Sequence, residues 1–111
     1  MDRIDLGSVI AERQLLYSDP ENGSRLVRVL LGAPRESPGG GEWYCPWQIL
    51  GIGGEKVLAA YGIDAVQSLQ LAMTMIGANL YAHADQGRRL SWGDRQPGDF
   101  GFPWGAGTPV H

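Results

Sequence analysis

Cysteine and histidine are scarce in this sequence. Its 111 residues contain one cysteine, Cys45, and two histidines, His83 and His111. A single cysteine cannot form an internal disulfide, which favours a reducing compartment. A metal site needs three or four ligands in compatible positions, and these three residues stand at unrelated places in the chain. We therefore expect a cytoplasmic protein with no metal and no cofactor.

Long apolar runs and clustered positive charge are also missing. No segment is long enough to cross a bilayer, and the first residues, MDRIDLGSVI, lack the apolar core of a signal peptide. Nine Lys and Arg against twelve Asp and Glu give a net charge of −3, with one adjacent basic pair, Arg88–Arg89. Phosphate-backbone binding needs several cations on one face. We therefore expect no membrane embedding, and the sequence disfavours a nucleic-acid partner.

The sequence does contain β-type runs separated by turn residues, with 17 glycines and seven prolines. The runs 8–17, 25–32, 42–50 and 55–63 predict four strands, and 88–92 predicts a short fifth. Residues 64–84 lack proline and are rich in helix formers, with Asp64 as N-cap and Gln67 in the capping-box position. The order β-β-β-β-α-β predicts an α+β fold, in which one long helix covers one face of an antiparallel sheet of four to five strands.

One domain accounts for a chain of this length, and we expect it to span 1–111. Residues 1–6 and 105–111 are predicted to be loose termini. The segment 93–104 is rich in glycine and proline but holds Phe100, Phe102 and Trp104, and a disordered tail seldom carries three aromatics in five positions. We therefore expect 93–104 to pack on the body of the domain.

The helix carries two apolar stripes when its residues are placed at 100° steps. The wider stripe is assigned to the sheet and consists of Ala65, Val66, Leu69, Ala72, Met73, Ile76 and Leu80. The narrower strip lies on nearly the opposite side and consists of Leu71, Met75, Ala78 and Ala82. A helix on one face of a sheet would expose this second strip, so either the C-terminal tail or another subunit covers it.

Cys45 lies in the clearest alternating pattern of the chain, EWYCPWQI. Trp43, Cys45, Trp47 and Ile49 share one side of the predicted strand at a period of two. A reactive thiolate needs an electropositive, partly open setting, whereas this pattern predicts a buried thiol. Pro46 has no backbone donor, so its strand lies at a sheet edge or is bulged there. No residue is predicted to be catalytic.

Three segments together resemble a known family. They are WYCPWQILGIGG, AAYGIDAVQSLQLAM and PGDFGFP, which span roughly 43–103. The pattern is similar to that of a family of small bacterial proteins catalogued as a domain of unknown function. The resemblance implies a bacterial α+β domain and assigns no activity. The positions that match the pattern are Trp43, Cys45, Pro46, Gln48, Asp64, Gln67, Asp99, Gly101, Phe102 and Pro103.

Two functions from different classes follow as hypotheses. The first is a protein-interaction module that binds a protein partner or a second copy of itself, with an inhibitor or immunity-like protein as a specific version that rests only on small size and acidity. Its contact residues would be Leu71, Met75, Ala78, Ala82, Phe100 and Phe102.

The second is an enzyme or small-ligand binder with a pocket between the tail and the sheet. Its lining would be Trp43, Trp47, Tyr61, Asp99 and Trp104. The sequence favours the non-enzymatic alternative.

Overall fold

The protein is an antiparallel sheet with one helix packed against it, in a computed structural model that describes residues 3–85 and 89–103. The elements are β1 (Val9–Asp19), β2 (Gly23–Gly32), β3 (Arg35–Glu36), β4 (Trp43–Leu50), β5 (Leu58–Gly62), α1 (Ala65–Asp85) and β6 (Arg89–Ser91). The predicted α+β fold is confirmed. The described sheet has six strands rather than four or five, because the two-residue β3 carries no sequence signal of its own.

The strand β4 has neighbours on both sides. β5 pairs with its first five residues on one side, while β2 and β3 share the other side. Beyond β2 come β1 and then the short β6. The order across the sheet is therefore β5, β4, β2, β1, β6, and β3 continues β2 along the same side of β4. The predicted strand 55–63 is shortened to β5. Its first residue, Glu55, instead accepts hydrogen bonds from the Gln48 side chain of β4 and from the Gly51 N–H just after β4.

Pro46 does not lie on a free edge, because β4 has neighbours on both sides. Leu31 of β2 pairs with Trp47, and Arg35 of β3 pairs with Tyr44. Between these two pairs, the three residues 32–34 face only two residues of β4. This one-residue shift falls opposite Cys45 and Pro46, where the missing backbone donor weakens the ladder. The edge alternative is therefore wrong, and the irregularity lies in the facing residues 32–34, between β2 and β3, rather than within β4, which pairs regularly with β5. The Cys45–Pro46 peptide bond is trans.

The helix α1 begins where the sequence predicts. The Asp64 carboxylate accepts a hydrogen bond from the Gln67 backbone N–H at 2.8 Å. The Gln67 side chain reaches back and accepts from the Ile63 N–H at 2.8 Å. The first bond satisfies a donor of the first helical turn, and the second satisfies the backbone donor of the residue before the N-cap. Together they fix the start of α1 directly after β5.

The buried face of α1 differs from the predicted stripe at its first turn. Ser68, Ala72, Ile76 and Leu80, four residues apart, are fully buried against the sheet. Val66 was placed in the core stripe, and this prediction is wrong, since its side chain is 63% exposed. The close contact between β5 and α1 lies at Gly62 and Ser68, where a side chain on Gly62 would collide with the Ser68 backbone. Val66 projects away from that contact.

The helix crosses the sheet diagonally, from β5, which precedes it, to β6, which follows it. Its main contacts are with β4 and β5, with a smaller contact at β6. A corner of the sheet is left open by this path, over the first half of β1 and the second half of β2. No helix in the described ranges is long and apolar enough to cross a membrane.

Candidate functional site

The open corner of the sheet contains an arginine that faces the interior. Arg13 alternates along β1 with Leu15 and Tyr17, so its side chain shares their side of the sheet. Its guanidinium carbon lies 3.8 Å from the centroid of the Trp92 ring and 4.8 Å from that of Phe102. Its Nη1 donates to the Phe100 carbonyl at 3.0 Å. We call this group of four residues the Arg13 clamp.

Residues 98–103, here the closing segment, are shaped to fit the clamp. The Asp99 carboxylate accepts a hydrogen bond from the Gly101 N–H at 3.1 Å, which forms a tight turn. Gly101 has φ = +76°, and a side chain there would collide with Arg13 and with the Trp92 ring. Glycine is therefore required at this position by both its backbone conformation and its surroundings.

The closing segment also packs on the helix. A side chain at Gly77 would collide with the Pro103 carbonyl, so the backbones of α1 and the closing segment are in direct contact there. Phe100 is 4% exposed and belongs to the main core cluster, and Phe102 is half-buried against it. Phe100 therefore offers no exposed contact surface, which corrects its placement among the interaction residues. Trp104 and the residues after it lie outside the described ranges.

A small cleft remains between the closing segment and the sheet. Its volume is about 180 Å³, and its lining includes Ala11, Arg13, Leu31, Met73 and Phe102. Small-molecule sites have volumes of roughly 300–1,000 Å³. The cleft is thus smaller than an ordinary ligand site.

Of the five residues predicted to line a ligand pocket, the four that the structure describes do not come together. Trp43 and Trp47 lie on the helix side of β4, where Trp47 is buried in the core. Tyr61 projects from the other face of the sheet, beside Tyr44, with ring centroids 5.9 Å apart. Asp99 is exposed in the turn of the closing segment, and Trp104 is not described. The structure provides no such pocket among the residues that it describes.

Cys45 is fully buried. Its thiol lies 3.4 Å from the Gly32 carbonyl, at the irregularity described above. Burial raises the pKa of the Cys45 thiol to about 11, because removal from water disfavours the charged thiolate. His83 lies in the last turn of α1, and the described residues include no cluster of three potential metal ligands. The buried, unreactive interpretation of Cys45 is thus supported.

The second strip of α1 is exposed. Leu71 and Met75 are each 41% exposed, and Ala78 and Ala82 are exposed as well. The closing segment lies against Met73 and Gly77, about 160° around the helix from this strip. The tail as far as Pro103 therefore does not cover it.

The outer face of α1 also lacks charge. From 65 to 84 the helix contains no Asp, Glu, Lys or Arg, although a solvated helix face normally carries them. The residues around the strip are Gln67, Gln70, Thr74 and Tyr81. The absence of charge is visible in the sequence and was overlooked there. So was Arg13, whose place in the inward-facing alternation of β1 predicts a compensating partner.

A model of the family described as Domain of unknown function (DUF6968) matches residues 11–104. The chain belongs to this family. The expected membership in a family of this kind is confirmed, and the family description assigns no activity. In this DUF6968 domain, all four residues of the Arg13 clamp fall within the matched residues. Comparisons with curated proteins and with solved structures found no match.

The Arg13 clamp yields a stability prediction. Arg13→Lys keeps the charge but loses the planar group that lies over two rings, and we expect the free energy of unfolding in urea to fall by about 1–2 kcal/mol. Arg25→Lys is the matched control, since Arg25 lies 4.9 Å from the Tyr17 ring at an exposed site. The control should change stability by at most about 0.5 kcal/mol. Equal losses in the two variants would contradict the clamp.

The burial of Cys45 yields a reactivity prediction. With a pKa near 11, the native thiol should react with a disulfide reagent only as fast as the chain unfolds, and its rate should show no titration below pH 8. The control is the urea-denatured protein, which should react at the rate of a free cysteine. A fast native reaction that titrates near neutral pH would show an activated thiol instead.

Proposed function

We propose that this protein is a protein-interaction module that binds another protein chain through the exposed strip of α1, formed by Leu71, Met75, Ala78 and Ala82. The observation that carries the proposal is the outer face of a 21-residue helix that is apolar along one line and uncharged over twenty residues. Protein interfaces are depleted of charged residues at their centre and enriched in methionine and aromatic residues. The lack of charge, Met75 and the flanking Tyr81 fit this composition, whereas Ala78 and Ala82 do not add to it.

The other exposed apolar positions differ from the strip in their surroundings. Leu16 and Leu26 form a cross-strand pair on the outer face of the sheet, exposed by 44% and 51%. On the same face, Arg28 forms a two-pronged ion pair with Glu12, at 2.7 and 3.0 Å. The hydrogen bond from Arg28 lowers the pKa of Glu12 to about 2. A face with ionised groups at its centre is typical of solvated sheet surface, and it supplies a matched control.

A small-ligand pocket between the tail and the sheet, as predicted, receives less support from the geometry. Its predicted lining is divided between the two faces of the sheet, and the cleft beside the closing segment is about 180 Å³. The interaction hypothesis needs no such cavity. It requires an exposed surface whose composition differs from that of ordinary solvated surface, and the strip is such a surface.

Photo-cross-linking in the cells that make the protein tests the proposal. A benzophenone amino acid at position 71 should give a covalent adduct with one defined protein, identified by mass spectrometry, and adding Met75→Glu should abolish it. The same amino acid at position 26 is the matched control and should give no adduct. No adduct at position 71, or equal adducts at 71 and 26, would contradict the proposal.

The free energy of unfolding shows whether glutamates in the strip remove only the contact with a partner or also destabilise the fold. Leu71 and Met75 are already partly exposed, so Leu71→Glu with Met75→Glu should change the free energy of unfolding of the monomer by no more than about 1 kcal/mol. Thermal unfolding at low protein concentration measures this. A large loss would mean that the strip is part of the monomer's own core, and the proposal would fail.

A further inference from the structure

The spacing of the strip residues identifies an arrangement more specific than a general contact surface. Leu71, Met75, Ala78 and Ala82 are separated by four, three and four residues. This is the spacing of the seam along which two α-helices pack in a coiled coil, where apolar residues recur every 3.5 residues on average. A partner that fits the strip is therefore another helix, packed nearly parallel or antiparallel to α1.

The sizes of the side chains select the direction of that helix. The two large residues, Leu71 and Met75, occupy the first half of the strip, and the two alanines occupy the second half. If a second copy packs antiparallel, Leu71 faces Ala82 of the other copy and Met75 faces Ala78. Every layer then contains one large and one small side chain, so the two helices stay evenly spaced along the seam.

A parallel pair of the same helices would pack unevenly. Leu71 would meet Leu71 and Met75 would meet Met75, while the alanine layers would leave a gap between the helices. Such a gap loses the close contacts on which packing depends. The strip is thus complementary to itself in the antiparallel direction only.

Electrostatics agrees with this arrangement. Antiparallel helices place the positive end of one macrodipole beside the negative end of the other. A charged residue close to the twofold axis would lie beside its own copy, and like charges repel. The helix has no Asp, Glu, Lys or Arg between 65 and 84, so no such repulsion arises along the seam.

We infer that the protein forms a twofold homodimer in which the strips of two copies pack antiparallel, with Leu71 against Ala82 and Met75 against Ala78. The inference rests on the proposed function and names its partner as a second copy of this chain. Four partly exposed side chains bury much less than the roughly 800 Å² per partner of a standard interface. The dimer is therefore expected to be weak and to dissociate on dilution.

Disulfide trapping tests both the partner and the direction. In an antiparallel pair, Leu71→Cys with Ala82→Cys should form a disulfide-linked dimer under mild oxidation, seen on a non-reducing gel and by mass. The variants Leu71→Cys and Ala82→Cys alone are the matched controls. In each single variant, the introduced cysteine faces the other copy at a position 11 residues away from that copy's own cysteine, which is about 16 Å along the helix axis. Cysteines whose Cα atoms are more than about 7 Å apart cannot form a disulfide. The controls should stay monomeric, and buried Cys45 stays in place in all variants.

Sedimentation of the wild-type protein gives the second measurement. We expect a monomer–dimer equilibrium at protein concentrations approaching about 1 mM, abolished by Leu71→Glu and unchanged by Leu26→Glu. A disulfide-linked dimer of Leu71→Cys alone would show a parallel pair and overturn the inference. A wild-type monomer at every concentration, or a dimer insensitive to Leu71→Glu, would overturn it too. If position 71 nevertheless cross-links to a different protein in cells, the proposed function stands and only the homodimer falls.

Discussion

The contact of the Arg13 guanidinium with the rings of Trp92 and Phe102 joins the first strand of this domain to its last described residues. A charge on the inner side of a sheet is costly unless it is paired or otherwise compensated. Here the compensation comes from two aromatic faces and one backbone carbonyl, all supplied by residues that follow the helix. The closing segment is thus both the partner of Arg13 and the cover of the corner that the diagonal helix leaves open.

The position of the closing segment determines which surface of the helix is left for a partner. Because the segment packs against Met73 and Gly77, one flank of α1 is covered from within the chain. The opposite flank carries an apolar, uncharged strip with nothing described over it. The chain thus covers one flank of its helix with its own backbone and leaves the other flank free for the proposed contact. The position of the closing segment thus supports the proposed function, because it leaves the strip of α1 uncovered.

Much of the fold was predictable because its determinants are local. The Asp64–Gln67 spacing predicts the start of α1, and the alternation around Cys45 predicts a buried thiol beside Trp47. The errors arise where the structure depends on distant contacts. A helical wheel treats every turn as lying over the sheet, which Val66 does not. The Arg13–Phe100 bond joins residues 87 apart in sequence, and no local pattern encodes that pairing. The described residues of the predicted ligand pocket are likewise separated by a long-range pairing, because the register of β5 against β4 places Tyr61 and Trp47 on opposite faces.

The claim that the closing segment is held by Arg13 is tested most directly by a double-mutant cycle between Arg13 and Phe102. The free energy of unfolding would be measured for the wild type, Arg13→Met, Phe102→Leu and the double variant. If the ring and the guanidinium interact as described, the two losses should be non-additive, with a coupling energy of about 0.5–1.5 kcal/mol. Losses that add to within about 0.3 kcal/mol would show that the two side chains act independently, and would contradict the account.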